Sequence, residues 1–130
     1  MLNVKKTLAH ILEAVSVDYI VEQGTSGQWT YRKWNSGIAE CWIKYDVSVG
    51  VTTSSAQYGG YRSDSISVPS FPFTFTAVPS LTISISGGSQ GSWVNNATAT
   101  ATGCSFYLSS GASQSARTRN MSVQVMGKWK

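Results

Sequence analysis

The chain has 130 residues, of which only 12% are charged, about half the usual share. Ser and Thr supply about a quarter of it, beside 5 Trp, 6 Tyr, 12 Gly, 1 His and 6 acidic residues, with a net charge of +4. This composition excludes a disordered chain, which would lack the aromatics, and a bilayer-crossing apolar run. It also leaves too few carboxylates, His and Cys for most metal or acid–base chemistry. What remains is one polar-faced domain with a short appendage.

Residues 1–16 are expected to form an α-helix. Met1, Val4, Leu8, Ile11 and Val15 fall alternately three and four apart, the spacing of a coiled-coil seam, with Lys5, Lys6 and Glu13 off it. Two heptads do not hold a coiled coil alone. The seam is therefore either the end of a stalk, with Val4, Leu8, Ile11 and Val15 between subunits, or an amphipathic helix packed on its own domain. His10 and Glu13 interrupt the apolar stretch, so a signal peptide is not expected and synthesis in the cytoplasm is.

From Val17 the period changes to two. Val17, Tyr19 and Val21 alternate with Asp18, Ile20 and Glu22, and residues 24–27 are expected to form a turn. Residues 29–34 place Trp29, Tyr31 and Lys33 on one phase and Thr30, Arg32 and Trp34 on the other. Asn35-Ser36-Gly37 has the composition of a hairpin connection with Gly37 at positive φ. The clearest strand follows, with Ala39, Cys41, Ile43, Tyr45, Val47 and Val49 against Glu40, Trp42, Lys44, Asp46 and Ser48. Residues 53–64 are expected to be a loop and residues 65–68 a short strand. Phe71, Phe73 and Phe75 share a phase and are assigned to the core, in an edge strand or extended segment because of Pro72 and Pro79. Leu81, Ile83 and Ile85 mark another strand, residues 87–91 a flexible loop, and residues 93–102 and 104–109 two more strands. Residues 111–119 are expected to be a polar loop, and Met121, Val123 and Val125 mark the last strand.

About seven or eight strands joined by Gly/Ser turns predict an all-β antiparallel sandwich over residues 17–130, behind the helix of residues 1–16. Cys41 and Cys104 each fall on an apolar phase and are expected to be buried free thiols; a disulfide has no spacing signature here. The Lys and Arg residues are scattered, not gathered into a nucleic-acid-binding stripe.

Several fragments carry a resemblance. They are Asp18-Tyr19-Ile20-Val21-Glu22-Gln23-Gly24, Trp29-Thr30-Tyr31-Arg32-Lys33-Trp34-Asn35-Ser36-Gly37-Ile38-Ala39-Glu40-Cys41-Trp42, Phe71-Pro72-Phe73-Thr74-Phe75 with Val78-Pro79-Ser80, and the closing Gly127-Lys128-Trp129. Together they resemble the C-terminal β domain of phage and prophage tail-fibre or minor structural proteins of Gram-positive bacteria. Ile43 stands where that family often has glycine after the Cys-Trp pair. The resemblance implies a virion component at or near a fibre tip, usually homotrimeric, that docks the particle on the bacterial surface. It carries no fixed site motif, cofactor or metal.

Enzymatic readings fare poorly. The one His, His10, lies in the predicted helix, so the β domain has no Ser-His-Asp triad. A glycosidase needs paired carboxyls. Glu40 and Asp46 share a strand phase but lie about 20 Å apart by strand rise, and nothing favours Asp64 as a partner for either. A binding reading has more support, because flat sugar faces stack on Trp and Tyr. Tyr58, Tyr61, Arg62 and Asp64 in one expected loop, and Trp93, Asn95 and Asn96 after another, are the candidate saccharide contacts, with solvated loops as the alternative. Trp29, Trp34 and Trp42 are assigned to a subunit interface or core. Arg117 and Arg119 could meet an anionic surface polymer such as teichoic acid, but a solvated loop is the preferred reading. The expected function is non-enzymatic virion attachment to a surface polysaccharide, without nucleic acid or membrane insertion. A purely structural trimerisation segment and, behind it, a glycan-degrading tip enzyme are the alternatives.

Overall fold

A computed structural model describes residues 17–56, 60–86 and 91–130. The expected N-terminal helix with its seam, and Tyr58, lie outside the described residues. In chain order the strands are β1 (Ile20–Ser26), β2 (Trp29–Trp34), β3 (Ile38–Val51), β4 (Thr53–Ser55), β5 (Gly60–Arg62), β6 (Ile66–Ser67), β7 (Ser80–Ser86), β8 (Ser92–Ala99), β9 (Cys104–Ser110) and β10 (Gln114–Lys128). They form two antiparallel sheets. The first runs β1-β2-β3-β10-β7; in the second, β9 pairs with β5 and β6 and also with β8, and β4 extends β5. The expected antiparallel all-β sandwich is the fold observed, with more strands than the period alone marked.

The two long strands are the spine. β3 and β10 pair from Ile38↔Lys128 to Val51↔Gln114, with a register shift between Gln114 and Arg117. Alternation then sets the core. Met121, Val123 and Val125 stand between Tyr45, Ile43 and Cys41 on one side and Ile85, Ile83 and Leu81 on the other. Cys104, Phe106 and Leu108 of β9 and Ile66 of β6 join the same core. Phe106, Leu108, Ile43 and Val123 are no more than 1% exposed, and each such side chain contributes about 1.5–3 kcal/mol on burial. Ile43, 1% exposed, fills the middle of this core.

One end is closed by aromatics. Residues 71–79 form no strand. The Phe71 and Phe75 amides donate to the Thr102 and Ala101 carbonyls, and Thr76 N–H donates to Lys128 O. Phe71 and Phe75 are buried and meet edge to face at 5.5 Å, while Phe73 is half-buried at 4.8 Å from Phe75. Trp29 lies edge-on to Phe71 at 5.6 Å and donates its indole N–H to Pro69 O.

The hairpin connection at Asn35-Ser36-Gly37 is as expected, with Gly37 at φ 98°. Asp18 secures it, its carboxylate accepting from Ser36 N–H and Ser36 Oγ. These hydrogen bonds, the Ser36 hydroxyl first, hold the Asp18 carboxyl below its ordinary value.

Four local expectations are corrected. β1 continues through Gly24, Thr25 and Ser26, and the reversal is left to Gly27, at φ 60°. Residues 53–64 contain β4 and β5, Ser/Thr/Gly-rich strands whose composition resembles a loop. Phe71, Phe73 and Phe75 lie in a hydrogen-bonded loop and not in an edge strand. Residues 114–119 are the first half of β10, not a polar loop, because β3 is long enough to pair with them.

Candidate ligand-binding surface

The candidate saccharide contacts fall on the second sheet, and its register sorts them. β9 lies between β5 and β8, so Ser109 opposes Arg62 on one side and Trp93 on the other. Two residues along, Tyr107 opposes Asn95. Residues on one rung, and residues two apart on one strand, share a face. Arg62, Trp93, Asn95, Tyr107 and Ser109 therefore stand together on the outward face. The contacts agree: the Arg62 guanidinium carbon lies 5.3 Å from the centroid of the Tyr107 ring, and Asn95 Nδ2 donates to Ser109 Oγ at 3.0 Å. Trp93 is 48% exposed, while Ser109 beneath it is buried.

The edge of this shelf is irregular. The β8 register shifts between Asn95 and Thr98, and Asn96 has φ 50°. Asparagine tolerates that left-handed conformation better than most residues. Asp64 follows β5 and is exposed. Ser63 beside it is buried, accepting from Leu108 N–H and donating to Asp64 O, which pins the chain at that point.

Tyr61 is not part of the shelf. It opposes Ser110 and packs against the core. Because Tyr61 and Arg62 are neighbours on a strand and not members of a loop, they face opposite ways. Tyr107 and Ser109 belong to the shelf but were not among the sequence candidates. Their signal was present: both sit on the polar phase opposite Cys104, Phe106 and Leu108.

The three tryptophans of the first hairpin divide. Trp29, 2% exposed, is enclosed by its own chain. Trp34 and Trp42 are half-buried on the outward phase of the first sheet. Over Trp42 lies the Arg32 guanidinium, 5.2 Å from the ring centroid and 3.7 Å from a Glu40 carboxylate oxygen. A groove of about 330 Å³ runs beside them, lined by Glu40, Trp42, Ser80, Thr82, Gln124 and Met126. Lys33, on the inward phase, pairs with Glu22 at 2.6 Å and lies over the Phe73 and Trp129 rings.

Arg119 is a correction. It is fully buried and donates to Val49 O, Ser92 Oγ and Gln114 Oε1, so its guanidinium is not presented to a surface polymer. Desolvation, then the Arg117 charge, lowers its pKa. Arg117 is exposed. Cys41 and Cys104 are free and buried. Burial pushes Cys41 up to about 12, with further contributions from Cys104 and Glu40, and Cys104 up to about 11. Among the described residues, no group of three or more His, Cys, Asp or Glu is placed to hold a metal ion.

No protein-family model matches the chain, and no curated protein matches it. Solved structures with a similar fold include the N-truncated R1-type pyocin tail fibre, at TM-score 0.59 and 14% identity, covering 92% of this chain and 94% of that one. A C-terminal fragment of the P. aeruginosa R1 pyocin fibre aligns at TM-score 0.60 and 14% identity, covering 92% of this chain and 31% of that chain. This chain thus spans about a third of that longer fibre fragment. The tail-fibre expectation from the sequence and this likeness agree at the level of fold.

Proposed function

We propose that this chain is a non-enzymatic structural module of a phage or prophage tail fibre, homotrimeric in the particle, that holds a bacterial surface saccharide on the outward face of its second sheet. The observation that carries the fibre reading is the fold likeness to a pyocin tail fibre over 92% of the chain. The saccharide reading is supported by the shelf of Trp93, Arg62, Tyr107 and Asn95. An exposed indole offers an apolar plane, the Arg62–Tyr107 stack a second one, and the Asn95 amide and Arg62 N–H groups supply hydrogen bonds. The sequence resemblance points to a Gram-positive wall polysaccharide or teichoic acid as the ligand source, and to a protein made in the cytoplasm and carried in the virion. A purely structural segment is the competing reading. It is favoured by the internal engagement of Asn95 with Ser109 and of Arg62 with Tyr107.

The test is binding of the full chain to purified wall fractions and a glycan array. Trp93→Ala and Arg62→Ala should each weaken binding about tenfold, the equivalent of ~1.4 kcal/mol, with the fold unchanged by circular dichroism. Absence of binding to every fraction leaves the structural segment. Release of reducing sugar by the pure protein, lost on Asp64→Asn, would replace binding with catalysis.

A further inference from the structure

The shelf on the second sheet holds a cation whose own chain leaves its hydrogen-bonding capacity unused. On the rung Thr53–Arg62–Ser109–Trp93, Arg62 and Trp93 flank the small, buried Ser109, roughly 10 Å apart at their Cα atoms by strand spacing. Arg62 is half-buried, with its guanidinium over the Tyr107 ring. A cation–π contact is made through the ring face and satisfies none of the five guanidinium N–H donors. Among the described residues those donors make no hydrogen bond and no ion pair. Asp64, the nearest carboxylate in sequence, is exposed beyond the end of β5. Arg32 and Lys33, by contrast, pair with Glu40 and Glu22, and Arg119 donates to Val49 O, Ser92 and Gln114. Beside Arg62, Asn95 spends one amide N–H on Ser109 Oγ and, among the described residues, keeps its other N–H and its carbonyl oxygen.

We infer that the saccharide this shelf takes is an anionic one, and that Arg62 is the residue that selects it. A sugar ring lies on the Trp93 indole, and a carboxylate or phosphodiester on that ring or the adjoining unit accepts from the Arg62 N–H groups. The inference rests on the shelf being the saccharide site. Three considerations favour an oxyanion over a neutral sugar. A guanidinium steadied on an aromatic ring presents paired donors that match two oxygens of a carboxylate or phosphate. A neutral ligand would cover this half-buried charge without pairing it, which costs desolvation that hydroxyl groups repay less well than an anion does. The chain's net charge of +4 draws a polyanion towards it. Asn95 then has an acceptor and a donor for the ring hydroxyls. One cation beside one indole does not make the charged groove that follows a nucleic-acid backbone.

The test is calorimetric titration of the full chain with three oligosaccharides of matched length: an oligogalacturonate, a phosphodiester-linked hexose oligomer and a neutral glucan. At least one anionic oligomer should bind the parent about tenfold tighter than the glucan, as one charge-assisted hydrogen-bonded contact supplies. The margin should shrink as salt rises, and the oligomer that shows it identifies the oxyanion as carboxylate or phosphate. Arg62→Gln should lose the margin and leave glucan binding unchanged. Arg62→Lys should keep part of it, and Trp93→Ala should weaken all binding, with each fold checked by circular dichroism. Equal binding of anionic and neutral oligomers by the parent overturns the inference, as does a margin that survives in Arg62→Gln. An oligothymidylate that binds as tightly as the anionic oligomers also overturns it, by showing a nucleic-acid surface. Glucan binding alone, lost in Trp93→Ala, overturns the anionic assignment and leaves the shelf a neutral-sugar site, whereas no binding of any oligomer overturns both.

Discussion

Gly127, in the closing Gly127-Lys128-Trp129 motif, lies opposite Ala39 on β10, under the aromatic loop. A Cβ there would stand 2.9 Å from Phe75 Cδ1, 3.0 Å from Pro79 Cβ and 3.2 Å from Phe75 Cε1. Neither side can give way easily. The Phe75 ring is 2% exposed and wedged against Phe71, and backbone bonds to Ala101 and Lys128 pin the loop on either side of the strand end. Gly127→Ala therefore overpacks a closed site, which costs ~2 kcal/mol within the usual range. For a domain of this size that is a fall in Tm of ~8 °C. The assay is a calorimetric melt at fixed protein concentration, since association would make Tm concentration-dependent. Phe75→Leu should absorb part of the penalty, so the two substitutions together should cost less than their sum. Gly103→Ala is the control, because nothing lies within 4 Å of a Cβ at that position. A Gly127→Ala melt within ~1 °C of the parent, or an equal loss in the Phe75→Leu background, refutes the packing argument.

Gly60→Ala should destabilise at least as much, because its Cβ would lie 2.4 Å from the Ser110 carbonyl oxygen. It should also weaken saccharide binding by displacing the strand that carries Arg62, and unchanged binding with unchanged Tm would contradict both. Stability should fall as pH rises from about 9 to about 12: the unfolded thiols ionise near 9, while Cys41 and Cys104 in the fold hold their protons to about 12 and about 11. The thiol contribution is thus complete below pH 9 and lost through that window. Cys41→Ala with Cys104→Ala should flatten the alkaline limb of a Tm-against-pH curve, and an unaltered limb would count against the assignment. Arg119→Met should lower stability by ~1–3 kcal/mol in urea unfolding, as buried acceptors lose their donor, yet leave wall-polymer binding intact. Lost binding with full stability would return Arg119 to the surface.

Regular alternation was the readable part of the fold. The phases of β3, β7, β9 and the second half of β10 place Ile43, Ile83, Phe106 and Val123 inward, and the core has those residues. The turn at Gly37 was readable because positive φ favours glycine. The missed strands share one cause. β4, β5 and the first half of β10 are rich in Ser, Thr, Gly and Arg, and they are strands because a neighbouring strand offers a ladder, not because their side chains alternate in hydrophobicity. Arg119 shows the consequence. In a loop it would be a solvated charge; on β10, two residues before Met121, it falls on the inward phase, where Val49 O, Ser92 and Gln114 receive it.

The candidate surface follows the same division. Composition and aromatic count pointed to binding or structure rather than catalysis, and Arg62, Trp93 and Asn95 were candidates from their residue types and their expected places in or beside loops. Periodicity is local: it tells which face of its own strand a residue occupies, so the alternation of Ser/Thr against apolar residues was enough for the sandwich and for most of the core. Which strands lie side by side depends on pairings between segments dozens of residues apart, as when β9 lies between β5 and β8. That long-range register brings Tyr107 to Arg62, turns Tyr61 inward, encloses Trp29 beneath Phe71, and leaves Trp42 and Met126 together on an open sheet face.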